Sequence, residues 1–137
     1  MTLEALRADA LTSTPDGFAI RLGLPWIRSL PVHSLLSPEV SIDGATVAPL
    51  TIAIGDRIID PTALGGVDAW WFIQDRIVLR ARQRLAAGPH EVSVTFRLVI
   101  PYLQAGPDGP LTLPFRVDRP LVIDAPAPIR SVSRDVA

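Results

Sequence analysis

The chain contains neither cysteine nor lysine. Without cysteine, disulfides and thiolate metal ligands are excluded, and stability must come from burial and association. Without lysine, all 13 basic residues are arginine, set against 14 acids for a formal net charge of -1. That balance disfavours nonspecific binding to nucleic acid. The arginine bias is explained by genomic base composition before contact design, although arginine's planar fork does suit fixed, bidentate or stacked contacts. Long hydrophobic runs are also missing: none approaches the roughly 20 residues a membrane span requires. Residues 1–7 lack the basic start and apolar block of a secretory or transit signal. A cytoplasmic protein with no membrane and no nucleic-acid partner is the expectation.

What is there is apolar and heavily punctuated. The 137 residues are 48% hydrophobic and only 20% charged, more apolar than an ordinary soluble domain, so some apolar surface is expected to face a partner. A chain of this length suits one domain that buries roughly two-thirds of its unfolded surface. Its 14 prolines and 9 glycines break it into short alternating segments. That pattern points to an all-β fold, a single-domain antiparallel β-sandwich, because proline disrupts helix interiors. The sandwich is expected over 1–124, with an extended or disordered tail over 125–137 whose Ala125-Pro126-Ala127-Pro128 start favours extended backbone.

Phe18, Ile20, Leu22 and Leu24 share one strand face, and Thr14-Pro15-Asp16-Gly17 reads as the turn pairing that strand with residues 10–13. The stretch before it is ambiguous between strand and a helical stripe of Leu3, Leu6 and Ala10, with strand preferred. Asp43-Gly44 and Gly55-Asp56 each read as a two-residue hairpin turn, and two hairpins in succession predict a meander. Residues 61–66 suit one helical turn. Residues 68–73 return to strand composition, where Trp70 and Trp71 must point oppositely. Val92, Val94, Phe96, Leu98 and Ile100 mark a central strand. After a long turn over 104–110, the proline inside residues 111–117 predicts an edge or a bulge, and residues 121–123 close the domain.

One stretch breaks the pattern. At Pro25-Trp26-Ile27-Arg28-Ser29-Leu30-Pro31 an alternating strand gives way to a corner bracketed by prolines, which donate no amide hydrogen. Such a corner sits at an edge or bulge and holds Trp26 and Arg28 outward, the residue types that anchor interfaces.

Catalytic chemistry finds little support. His33 and His90 are distant in sequence, and neither has a second histidine nearby; loop or interface roles suit them better than a metal site. Asp56 with Asp60 and Asp68 with Asp75 are acid-base candidates only if the fold unites them, and Asp43, Asp56 and Asp108 beside glycines suit turns better. Gly65-Gly66 lacks the lysine and hydroxyl residue of a phosphate loop. Arg76, Arg80, Arg82 and Arg84 lie on one side of an extended strand, a stripe read as a solvated edge or subunit contact ahead of a nucleic-acid groove. Trp26, Trp70, Trp71 and Tyr102 form a candidate aromatic platform for sugar rings.

The ordered combination of the 24–31 corner, Val40-Ser41-Ile42-Asp43-Gly44, Trp70-Trp71-Phe72, Gly88-Pro89-His90-Glu91-Val92 and Ile100-Pro101-Tyr102 resembles the C-glycoside deglycosidase β-subunit family, over residues 10–123. Ile27 stands where that family leads one to expect tyrosine, and His33 where small or apolar residues are usual. The resemblance implies a β-sandwich subunit of a hetero-oligomer, a carbon-carbon lyase whose larger α subunit is an isomerase-like barrel holding a divalent metal. No cofactor is expected in this chain, and it is not expected to be catalytic alone. The C-glycoside substrate, oxidised at the sugar's 3-position, would be met only through the complex. Trp26, Arg28, Ser29, Pro31 and His33 become the candidates for the partner-facing surface or active-site rim. The alternative is an independent carbohydrate-binding or structural homo-oligomer.

Overall fold

The computed structural model describes residues 5–104, 106–107, 109–126 and 134–136. Its strands are β1 (Leu11–Thr14), β2 (Gly17–Gly23), β3 (Leu30–Pro31), β4 (Leu35–Ile42), β5 (Ala45–Val47), β6 (Thr51–Ile54), β7 (Arg57–Ile59), β8 (Trp70–Trp71), β9 (Asp75–Ala81), β10 (Pro89–Gln104), β11 (Pro110–Val122) and β12 (Arg134–Asp135). They form an all-β sandwich. One sheet has the order β1-β2-β9-β6-β7 with β12 pairing β9; the second runs β11-β10-β4-β5; β3 and β8 make a two-stranded ribbon. All ladders are antiparallel except β12 on β9.

Alternation builds the core as a pleated surface requires. Phe18, Ile20 and Leu22 of β2, Ile77 and Leu79 of β9, and Val92, Val94, Phe96, Leu98 and Ile100 of β10 are all buried in one cluster. Phe96 stacks on its cross-strand partner Phe115 with ring centroids 5.4 Å apart, a pairing that adds to simple burial. Both two-residue hairpins form, Ile42 opposite Ala45 and Ile54 opposite Arg57, and Asp43 and Gly44 take the positive φ this turn demands. The turn at 14–17 pairs β1 with β2 as read from the sequence, and residues 61–66 make a 3-10 turn capped by Asp60.

Four expectations are corrected. The hairpins β4-β5 and β6-β7 lie in different sheets, so they do not form a meander. The strand at 68–73 shrinks to Trp70–Trp71, because the Asp75 amide donates to the Phe72 carbonyl and turns the chain at once into β9. Residues 111–123 divide less than expected, since 110–122 is one edge strand. Its Pro110, Pro114 and Pro120 fall on alternate positions of one parity, so the missing donors all lie on one side of the strand. Before β1, the described residues 5–10 are neither strand nor helix, though Leu6 and Ala10 are buried.

Most of the expected tail, 127–133 and Ala137, lies outside the described residues; within it, β12 pairs with β9 and Val136 is buried. Among the described residues no helix is long and apolar enough to cross a membrane.

Candidate functional site

The proline corner holds Arg28 at the surface as expected, whereas Trp26 is half-buried and packs against the core. After β2 ends at Gly23 the chain runs irregularly to Leu30. There Leu30 and Pro31 pair with Trp71 and Trp70. The two indoles part as the pleat dictates: Trp71 is fully buried and donates its Nε1 hydrogen to the Asp75 carbonyl at 3.2 Å, whereas Trp70 is 52% exposed. Ser29 Oγ accepts from the Ile73 amide at 3.1 Å, locking the corner to the turn that follows Trp71.

The third component is the far end of β10. Trp26 Nε1 donates to the Tyr102 phenol oxygen, and the Arg28 guanidinium stands 5.4 Å from the centre of the Tyr102 ring, within cation-π range. Segments 25–31, 70–74 and 101–104 thus meet at one end of the molecule. Of the eight large hydrophobic side chains exposed among the described residues, six belong here: Ile27, Trp70, Phe72, Ile73, Tyr102 and Leu103. A clustered apolar surface of this kind marks an interaction site, whereas single exposed side chains such as Ile58 and Val122 need no explanation.

Of the residues singled out from sequence, Trp26, Ser29 and Pro31 are half-buried in this end, and Arg28 is exposed on it. His33 is exposed on the 3-10 turn at Val32–Ser34 that follows the corner. Ile27, Phe72, Ile73 and Leu103 were not picked out. Their signal is apolar residues falling where alternation has stopped and turn residues would be expected.

His90, Asp43, Asp60 and the arginines of the expected stripe have structural partners, whereas Ser34 Oγ, Asp75 Oδ1 and Arg76 Nε are buried without one among the described residues. His90 faces two acceptors, the Asp43 carboxylate through Nδ1 and the Ala86 carbonyl through Nε2, each at 2.7 Å. The Ala86 carbonyl first and Asp43 second hold its pKa above the ordinary value. Asp43 also accepts from the Glu91 amide, and its carboxyl is held below the usual range, mainly by His90. Asp60 is the helix cap, bonded to the Thr62 amide and hydroxyl. The expected arginine stripe is broken up: β9 ends at Ala81, short of Arg82 and Arg84. Arg76 makes a buried pair with Asp9, Arg80 and Arg82 reach Asp16, and Arg84 donates to the Pro15 carbonyl. A cleft of about 210 Å³ lined by Asp16, Ile58, Arg80 and Arg82 lies beside these groups, with none of the aromatic-end residues in its wall. Among the described residues no three of His, Asp or Glu gather where they could hold a metal ion. Asp108 lies outside the described residues.

Fold and surface together define a class: a β-sandwich domain whose distinctive feature is an exposed aromatic end. No family model matches the chain. It is 35% identical over 99 residues to the 3'-dehydrocarminate deglycosidase beta subunit of a Microbacterium species, covering 69% of this chain and 75% of that relative. It is 33% identical over 89 residues to the C-glycoside deglycosidase beta subunit of Microbacterium trichothecenolyticum, covering 62% and 68%. The chain belongs to the C-glycoside deglycosidase beta subunit family. The designation beta subunit implies a partner subunit.

Proposed function

We propose that this chain is the accessory subunit of a hetero-oligomeric C-glycoside deglycosidase, a cytoplasmic carbon-carbon lyase, and that it docks through its aromatic end on an isomerase-like barrel α subunit. The observation that carries this reading is the gathering of six exposed apolar side chains on the proline corner and the segments 70–74 and 101–104 that meet it. The names of the two relatives support the reaction class.

In that reaction the sugar's 3-keto group acidifies the neighbouring C–H. Loss of that proton gives an enolate, and elimination then breaks the bond to the aglycone carbon, which takes up a proton. A divalent metal held by the α subunit would supply positive charge against the enolate. Among the described residues no three of His, Asp or Glu gather to hold it. This chain's part is to cover and shape: Trp26, Arg28, Ser29, Pro31 and His33 belong to the surface that meets the partner. The Ser29 hydrogen bond and the Trp26–Tyr102 hydrogen bond keep it rigid, as a preorganised surface requires.

The test is turnover of a 3-oxo-C-glycoside by a purified isomerase-like barrel α subunit with and without this chain. Activity that needs both polypeptides is the expected result. A barrel equally active alone, or an isolated chain that binds sugar or self-associates with no affinity for the barrel, would replace this reading with the independent-module one.

A further inference from the structure

We propose that the α-subunit surface covering the aromatic end presents a carboxylate to Arg28; this rests on the subunit reading above and specifies the partner's chemistry. Segments 25–31, 70–74 and 101–104 contain one charged residue, Arg28, amid Trp26, Ile27, Trp70, Phe72, Ile73, Tyr102 and Leu103. Aromatic residues plus arginine, with other charges depleted, is the composition of a buried interface centre. In this chain Arg76, Arg80 and Arg116 each have an aspartate partner. Arg28 has the Tyr102 ring and no carboxylate among the described residues.

A cation over a ring is adequately placed while water reaches its other side. Covering this end removes that water, and a desolvated guanidinium without a counter-charge is strongly unfavourable. The covering surface must therefore bring an acid, and a carboxylate matches the guanidinium fork with two parallel hydrogen bonds. Two-fold pairing of the end on itself places the same residues on both sides of the contact, setting Arg28 against a second Arg28, with exposed Asp68 and buried Asp75 just outside the three segments as the nearest acids in sequence. A neutral sugar ring can stack on the aromatics but leaves the charge unanswered.

The experiment measures binding of the full chain, wild type and Arg28→Glu or Arg28→Lys, to the isomerase-like barrel α subunit, with thermal melts to show that the exposed substitution leaves the fold intact. Arg28→Glu is expected to weaken assembly by about 30-fold or more, and Arg28→Lys by less because charge remains while the fork is lost. An acid-to-arginine change on the barrel should restore binding to Arg28→Glu. If the wild-type chain binds the barrel and Arg28→Glu binds equally well, the carboxylate proposal falls while the subunit reading stands. If the wild-type chain does not bind the barrel, the subunit reading fails and the inference with it. Self-association through this end would overturn the choice of occupant.

Discussion

Trp26 and Tyr102, 76 residues apart in sequence, are joined by a single hydrogen bond in which the indole nitrogen donates to the phenol oxygen at 2.5 Å. That bond ties the irregular corner after β2 to the tip of the longest strand, so two sheets share responsibility for one surface. Tyr102→Phe keeps the ring beneath Arg28 and removes the acceptor. The expected cost is about 0.5–1.5 kcal/mol in urea unfolding, with faster amide exchange across 25–29.

The tryptophan pair separates packing from contact. Trp71→Ala empties a fully buried core position and should cost about 3–5 kcal/mol. Trp70→Ala, at a half-exposed position, should change stability by no more than about 0.5 kcal/mol while weakening partner binding. Denaturant titration of both variants, with pull-down of the barrel subunit by Trp70→Ala, checks this. Equal destabilisation by the two would contradict it.

His90 predicts a pH dependence of stability. Both ring nitrogens face acceptors, so the doubly protonated imidazolium satisfies the site. Its folded pKa is raised above the ordinary 6.5. Its contribution is therefore fully present below 6.5 and is lost as pH rises through the folded value. Asp43 is lowered from 3.8, so its contribution is present above 3.8 and lost as pH falls through the lower folded value. The pair is strongest between those two ordinary values. In thermal melts across pH, His90→Gln should flatten the alkaline decline; an unchanged profile would exclude a stabilising role for the His90–Asp43 pair.

Gly17 predicts a steric effect. A Cβ there would lie 1.9 Å from the Ala81 carbonyl oxygen and 2.8 Å from the Gln83 amide nitrogen, both backbone atoms that cannot swing aside. Gly17→Ala should destabilise by about 1–3 kcal/mol or more, read as a lower urea midpoint. A neutral result would mean that β9 and the β1-β2 turn separate easily.

Much of the sandwich was legible because a strand writes its two faces into alternate residues. Phe18 to Leu22 and Val92 to Ile100 declare their inward sides, Asp43-Gly44 declares its turn, and adjacent tryptophans must diverge. The partition of the two hairpins between sheets was not legible: β6 pairs with the distant β9, and no local pattern encodes that choice. Nor does residue spacing show that Trp71 spends its N–H on Asp75 and ends its strand there. The corner could be suspected from its prolines, yet the full surface could not. Ile27, Phe72, Ile73 and Leu103 come from three distant segments that only the fold brings together.

Hydrogen-deuterium exchange of this chain, alone and with the barrel subunit, tests most directly that the aromatic end is the docking face. Protection concentrated in 25–31, 70–74 and 101–104, with the β6-β7 end and the outer edge of β11 unchanged, is the predicted result. Complex formation with those three segments still exchanging as in the free chain would contradict it.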